Sequence, residues 1–257
     1  MSCPGAGLAT RETLKLYKDK VKYHVDIITR YCYGTGMRTY GQYCGLAKAL
    51  DAIGDRWSLL IVRELVLLGP CRYTDLLHGL PGIATNLLAD RLRDLEATGI
   101  IRREAAPPPI ATTLFHLTSR GEGLLPVIRE LGRWGAPFLF GEQTADEVFR
   151  SHWITLPLRL YYVDPTPDEP PVTIELRTGD QPIVIETVDG GIRARPGSAQ
   201  NPDAVLTGPP QLIIGVLSGR LELEDACRRG LGVDGDPGAL SRVRSTSSET
   251  SSSAIAH

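Results

Sequence analysis

No stretch of about eighteen consecutive apolar residues occurs in this 257-residue chain, so no membrane-spanning helix is expected. The first residues lack an apolar segment followed by a small-residue cleavage site, so a secretory signal is not expected either. Cysteine is sparse. Cys3, Cys32, Cys44, Cys71 and Cys227 never fall into a C-x-x-C pair, which argues against a zinc site and against a disulfide framework. A cytoplasmic protein with reduced thiols is the expectation. Catalytic signatures are missing too: there is no H-E-x-x-H, no G-x-x-x-x-G-K-[ST] and no G-x-S-x-G. The five histidines are scattered, and His78 and His116 read as surface residues. No catalytic set, metal site or cofactor is expected, and the chain does not read as an enzyme.

Positive charge is in short supply in one half. Residues 141–257 carry ten cationic side chains against seventeen anionic ones, net −7, which repels a phosphate backbone. Residues 1–40 carry seven against three, and residues 41–140 eleven against ten. Any contact with DNA therefore belongs to the amino-terminal half, and its arginines must share one face.

The informative stretch lies between Tyr40 and Trp134. Gly45 to Ile53 reads as a short amphipathic helix with Leu46, Ala49, Leu50 and Ile53 on one face. Asp55 is placed to cap a second helix, Arg56 to Leu68, ended by Gly69-Pro70. A third helix starts at Arg72 and stops at the Pro81-Gly82 turn. A fourth runs from Thr85 to Thr98 and is stopped by Gly99. Ile100 to Glu104 reads as a strand, Pro107-Pro108-Pro109 as an exposed tip and Thr113 to Leu117 as the returning strand. Ser119 with Glu122 fits a capping box before a long helix through Leu125, Ile128, Leu131 and Trp134, with Pro126 in its first turns. Helix, tight turn, helix, two-stranded wing is the plan of a winged helix-turn-helix, which places one helix in a major groove.

On the fourth helix, Leu88, Leu92 and Leu95 fall on one side with Arg91 at the edge, and Asn86, Asp90 and Arg93 fall on the other. Asparagine pairs with adenine and arginine with guanine or phosphate. Asp90 accepts from cytosine or simply holds Arg93. Arg72 reads as a phosphate clamp, and Arg102 and Arg103 as wing contacts. The DNA-binding set is thus Arg72, Thr85, Asn86, Asp90, Arg91, Arg93, Arg102 and Arg103.

Several segments together resemble HxlR-type winged-helix transcriptional regulators: CGLAKAL from Cys44, GDRW to Trp57, RYTDL from Arg72, PGI from Pro81, the Leu88, Arg91, Leu92, Leu95, Glu96, Gly99 spacing, and LTSRG from Leu117. The resemblance covers residues 40–140. It implies a dimeric bacterial regulator that binds double-stranded DNA at inverted repeats. It also makes Cys44 a candidate thiol sensor, the alternative being a small residue in a dimer contact. No neighbouring Lys or His in the sequence lowers its pKa, as reactivity would require. Two departures stand out: Asp55-Arg56 where the family commonly has Gly-Lys, and Ala84 where a Ser often caps the reading helix. Losing that cap costs about 1 kcal/mol.

Beyond a linker at 141–149 the period changes. Val172, Ile174 and Leu176 alternate with polar residues, as do Ile183 and Ile185, and Ile192 and Ala194, which reads as an antiparallel sheet. Helices follow at Pro209 to Leu217 and Leu221 to Arg229. Asp203 to Gly208, the helix to Arg220, and Leu231 to Asp236 loosely resemble a sterol-carrier-protein-like domain over residues 150–244. That likeness implies an apolar cavity for a hydrophobic effector, lined by Ile174, Leu176, Ile183, Ile185, Leu206, Leu212, Ile213, Val216 and Leu217. The same residues equally suit a filled core. The whole reads as α+β in two domains: an extension at 1–39, either functionless or a basic arm, a winged helix-turn-helix at 40–140, a sterol-carrier-like antiparallel sheet packed on helices at 150–244, and a disordered tail at 245–257. The competing reading is a lipid carrier that uses its winged helix only to form a homodimer.

Overall fold

The computed structural model describes residues 39–106, 112–140 and 147–246. The extension up to residue 38, the triple-proline wing tip, most of the linker and the tail from residue 247 lie outside the described residues. The chain divides into two compact units, Met1–Leu125 and Pro126–His257.

In the first unit, α1 (Gly45–Ile53) forms where expected. Of its anticipated apolar face, Ile53 is buried, whereas Leu46, Ala49 and Leu50 are open to solvent. Asp51 is buried and accepts from the Thr39 hydroxyl and the Tyr40 amide, both at 2.9 Å, anchoring the chain that leads in. The helix α2 is Ser58–Leu68, shorter than expected. Asp55 does not cap it. Trp57 occupies the cap position with φ of 85°, a left-handed backbone that a non-glycine residue adopts only under constraint. The Asp55 carboxylate pairs instead with Arg91.

A two-residue strand, β1 (Cys71–Arg72), precedes α3 (Tyr73–Gly79) and pairs with the wing. Sequence periodicity cannot reveal a strand of two residues. Next comes α4 (Thr85–Ala97), whose Leu88, Leu92 and Leu95 enter the core. Its end is a Schellman arrangement: Gly99 at φ of 69° lets its N–H reach Glu96 O at 2.9 Å and the Ile100 N–H reach Leu95 O at 2.9 Å. The wing is β2 (Ile101–Ala105) and β3 (Thr113–Leu117), and the sheet order is β1-β3-β2. The cap of α5 (Ser119–Glu122) is Thr118 rather than Ser119, since the Thr118 hydroxyl accepts from the Gly121 N–H at 3.2 Å. The expected long helix is broken at Gly123-Leu124. Pro126 lies in the first turn of a separate helix, α6 (Leu125–Gly135), where its missing N–H costs nothing.

In the second unit no residue of α6 is buried, and Val127, Leu131 and Trp134 are exposed. A 3-10 turn at Ser151–Ile154 leads into α7 (Thr155–Tyr161), which the sequence did not signal. The sheet comprises β4 (Tyr162–Val163), β5 (Thr173–Arg177), β6 (Ile183–Val188), β7 (Gly191–Pro196), β8 (Ala204–Thr207), β9 (Gly232–Gly235) and β10 (Arg244–Ser245), in the order β10-β4-β7-β6-β5-β8-β9. The expectation of an antiparallel sheet is corrected at one place. After the β6–β7 hairpin the chain returns to the far side of β5, so β8 enters parallel to it. Ser245, anticipated as the start of the tail, instead pairs with Tyr162.

One face of this sheet carries Ile174, Leu176, Ile183, Ile185 and Leu206, all excluded from solvent. Against it pack α8 (Pro210–Leu217), through Ile213 and Leu217, and α9 (Leu223–Arg228), through Ala226. On the opposite face Glu175, an expected surface residue, is buried. Burial works against its charge, yet the Ala199 amide at 2.7 Å and Arg177 at 2.7 Å outweigh it and hold the carboxyl below its usual range. A second buried charge, Arg242, forks onto Asp164 at 2.8 and 2.7 Å and donates to the carbonyls of Pro170 and Thr166, both at 2.9 Å.

Candidate DNA-binding surface

The outward face of α4 presents Thr85, Asn86 and Arg93 to solvent, with Asp90 half-covered beside them. Arg93 is held by Asp90 at 2.7 Å, the second of the two roles open to that carboxylate. The start of the helix has no side-chain cap, as Ala84 led us to expect. Instead the Tyr73 hydroxyl of α3 donates to the Thr85 carbonyl at 2.6 Å and ties the two helices of the reading head together.

Arg91 is engaged elsewhere. It pairs with Asp55 ahead of α2 and with Asp94 at 3.2 Å, and its Nε is buried without a partner. It braces α4 against the α2 entry, so its guanidinium is committed to carboxylates inside the protein.

The two wing arginines do not cluster. They are neighbours on β2, and neighbours on a strand point to opposite faces. Arg102 meets Glu104 and lies opposite His116. It lines an open cleft of about 400 Å³ with Leu65, Pro70, Leu117 and Leu125. Arg103 turns toward α4, where its Nε donates to Glu96 Oε2 at 2.6 Å and its guanidinium lies 6.0 Å from the Phe115 ring centre. It lines a different cleft, of about 210 Å³, together with Arg72. The β1–β3 register, which sets Cys71 opposite Phe115 and Arg72 opposite Leu114, brings these residues together. Tyr73, Thr74, Thr112, Thr113 and Phe115 complete that lining, and no sequence pattern linked Thr112, Thr113 and Phe115 to Arg72. Of the five arginines proposed for DNA, Arg72 alone makes no ion pair among the described residues.

The thiols differ sharply. Burial, then Asp75 and Glu64, push Cys71 up to about 12, leaving it an inert core group. Cys44 is exposed just before α1. The backbone amides of Ala47 and Leu46 at the open helix end pull its pKa below the ordinary thiol value. The sequence search for a nearby cation missed this because the favourable charge comes from the backbone.

In the second unit, Ile174, Leu176, Ile183, Ile185, Leu206, Ile213 and Leu217 form one buried cluster, with Leu212 and Val216 packed on it partly exposed. A cleft of about 440 Å³ in this unit has a different, mixed lining that includes Asp164, Glu169, Glu186 and Asp189 together with Arg193, Val172 and two prolines. No helix of the described residues is long and apolar enough to cross a membrane.

The HxlR-like helix-turn-helix family matches residues 52–143. The chain is 32% identical over 92 residues to the uncharacterised HTH-type transcriptional regulator YvaP of Bacillus subtilis, covering 36% of this chain and 84% of that protein. It is 36% identical over 99 residues to the uncharacterised HTH-type transcriptional regulator sll1512 of Synechocystis, covering 38% and 73%. The solved reduced form of the transcriptional regulator YodB from B. subtilis aligns at 31% identity over 39% of this chain and 100% of its own, with a TM-score of 0.34.

Proposed function

Because the chain belongs to the HxlR-like helix-turn-helix family, whose relatives are HTH-type transcriptional regulators, we propose that it is a dimeric, cytoplasmic DNA-binding regulator with an effector-responsive second unit. The observation that carries the reading is the outward face of α4, with Thr85, Asn86 and Arg93 exposed and Asp90 half-covered beside them, backed by a buried leucine stripe and flanked by a cleft holding Arg72 and Arg103. The outward side chains suit base edges, and the flanking arginines suit phosphates. The exposed Leu46 and Leu50 of α1 and the uncovered apolar side of α6 support self-association. A two-fold dimer demands inverted half-sites about 10 base pairs apart, or a multiple.

Selection of genomic fragments with the purified protein tests this directly. Inverted repeats should emerge, and Arg93→Ala should weaken binding to them by about 1–3 kcal/mol while relaxing preference at one base per half-site. Fragments with no common repeat, or a folded Arg93→Ala variant with unchanged affinity, would refute the assignment.

For the second unit we propose an apolar effector that enters between the sheet and α8, where Leu212 and Val216 are only partly covered. Such a ligand shifts DNA binding only if it binds the DNA-competent and incompetent states with different affinity. A fluorescent fatty acid or sterol should be taken up by the protein, and Val216→Trp should abolish that uptake without affecting DNA binding. Failure of every apolar probe to bind would leave the unit a structural or partner-binding module.

A further inference from the structure

The cleft between α3 and the wing is more specialised than a general basic surface. Two arginines from different elements, Arg72 and Arg103, line it together with three threonines, Thr74, Thr112 and Thr113. This is the donor set that suits a phosphate oxyanion: planar forks for paired hydrogen bonds and short hydroxyls beside them. One carboxylate opposes it. Glu96, in the last turn of α4, takes the Arg103 Nε at 2.6 Å. We propose that this cleft seats one phosphate of the DNA backbone, and that Glu96 guards it, holding Arg103 until that phosphate takes the place of the carboxylate. The proposal rests on the reading of this unit as DNA-binding.

Three observations favour an exchange of this kind. Both partners of the Arg103–Glu96 pair are part-exposed, 44% and 35%, and ion pairs so open to solvent contribute little, so a phosphate can compete for the arginine. The Arg72 guanidinium makes no ion pair among the described residues, although the Arg72 backbone N–H donates to the Asp75 carboxylate at 2.8 Å, so the seat keeps an uncommitted cation while Glu96 holds the other. The stacking of Arg103 over Phe115 keeps its guanidinium at the cleft when the carboxylate lets go. Glu96 also lies on the same helix as the outward-facing Asn86 and Arg93. A phosphate captured here therefore fixes the depth of that helix in the groove. Because the guard suppresses backbone affinity on every sequence equally, it raises the relative weight of base contacts.

A free phosphorylated molecule offers the same chemistry, but the cleft is shallow and open to solvent, which suits a strand lying across it better than a small anion that would stay largely hydrated. The test uses the full-length protein with a selected operator duplex and a scrambled duplex, by fluorescence anisotropy over a salt series. Glu96→Gln should tighten binding to both duplexes alike, by about threefold to tenfold at low salt, and steepen the salt slope by about one. Arg72→Gln should do the reverse. A gain in affinity cannot arise from misfolding, so the first variant decides the matter. Unchanged or weaker binding by Glu96→Gln, while Arg93→Ala still weakens binding to the operator and relaxes preference at one base per half-site, overturns the seat and leaves the DNA-binding reading intact. Binding to no duplex at all overturns both. Inorganic phosphate titrated without DNA should show no saturation into the millimolar range. Saturable phosphate binding lost in Arg72→Gln would assign the cleft to a small anion and overturn the backbone assignment.

Discussion

Replacing Gly121 by alanine should destabilise the winged-helix unit by about 3 kcal/mol and take DNA binding with it. A Cβ at this position would lie 2.2 Å from the Ile100 carbonyl oxygen and 2.9 Å from Leu117 Cδ2. The leucine end can yield, but the carbonyl cannot. It accepts from the Thr118 N–H at 3.0 Å and from the Thr118 hydroxyl at 3.1 Å, the contacts that seat α5 on the root of the wing. The clash must then be relieved by moving α5 away from β2. A unit of this size has only a narrow margin of stability to lose. Hydrogen exchange at the amides of Ile101–Ala105 is the local readout, and it should accelerate strongly. Protection equal to that of the parent protein would show that the α5 contact is not needed to hold the wing.

The second large effect is expected at Arg242→Gln, which should lower the melting temperature of the second unit by roughly 10–20 °C. Arg242 is 6% exposed and bridges Asp164 to the carbonyls of the 166–170 loop. Glutamine leaves Asp164 covered and without its cation, and strands those carbonyls. The hydrogen bond from Arg242, ahead of the opposing effect of burial, holds the Asp164 carboxyl below the ordinary carboxylate value. A carboxylate depressed in the folded state adds stability that is complete above its unfolded pKa of about 3.9 and fades as pH falls through the lower folded value. The gap between parent and variant should therefore be widest near neutral pH and close below about pH 4. Calorimetry across that range checks it; a constant gap would mean that the charge of Asp164 plays no part.

The reading helix was legible because three leucines at helical spacing and a glycine stop leave little freedom over thirteen residues, and α4 runs from Thr85 to Ala97. Its outward residues followed from the same geometry. The fate of the arginines was not legible, since it depends on partners distant in sequence: Asp55 for Arg91, Glu96 for Arg103. That Arg102 and Arg103 face apart does follow from strand alternation, but counting charges along the chain conceals it. In the second unit the alternating strands β5, β6 and β7 emerged where apolar residues recur at every second position. The parallel placement of β8 did not, because the direction in which a strand joins a sheet leaves no trace in its own residues. Nor did Trp57, whose left-handed backbone shifts the start of α2 by two residues; a local propensity gives no hint of it.

The bond between Arg242 and Asp164 spans 78 residues, and β10 closes on β4 over a similar separation. On a ribosome adding about 5–20 residues per second, Asp164 emerges roughly 4–16 s before the arginine that neutralises it can exist. During that interval the edge of β4 is bare on the side that β10 will take, and the 166–170 loop has nothing to hold it. Residues 39–125 suffer no such delay, since the wing, its cap and both helices of the reading head are complete before Asp164 is made. In the cell the nascent chain should thus acquire its winged helix first and spend its most vulnerable seconds as a folded head trailing an unclosed sheet, the period in which a chaperone has the most to protect.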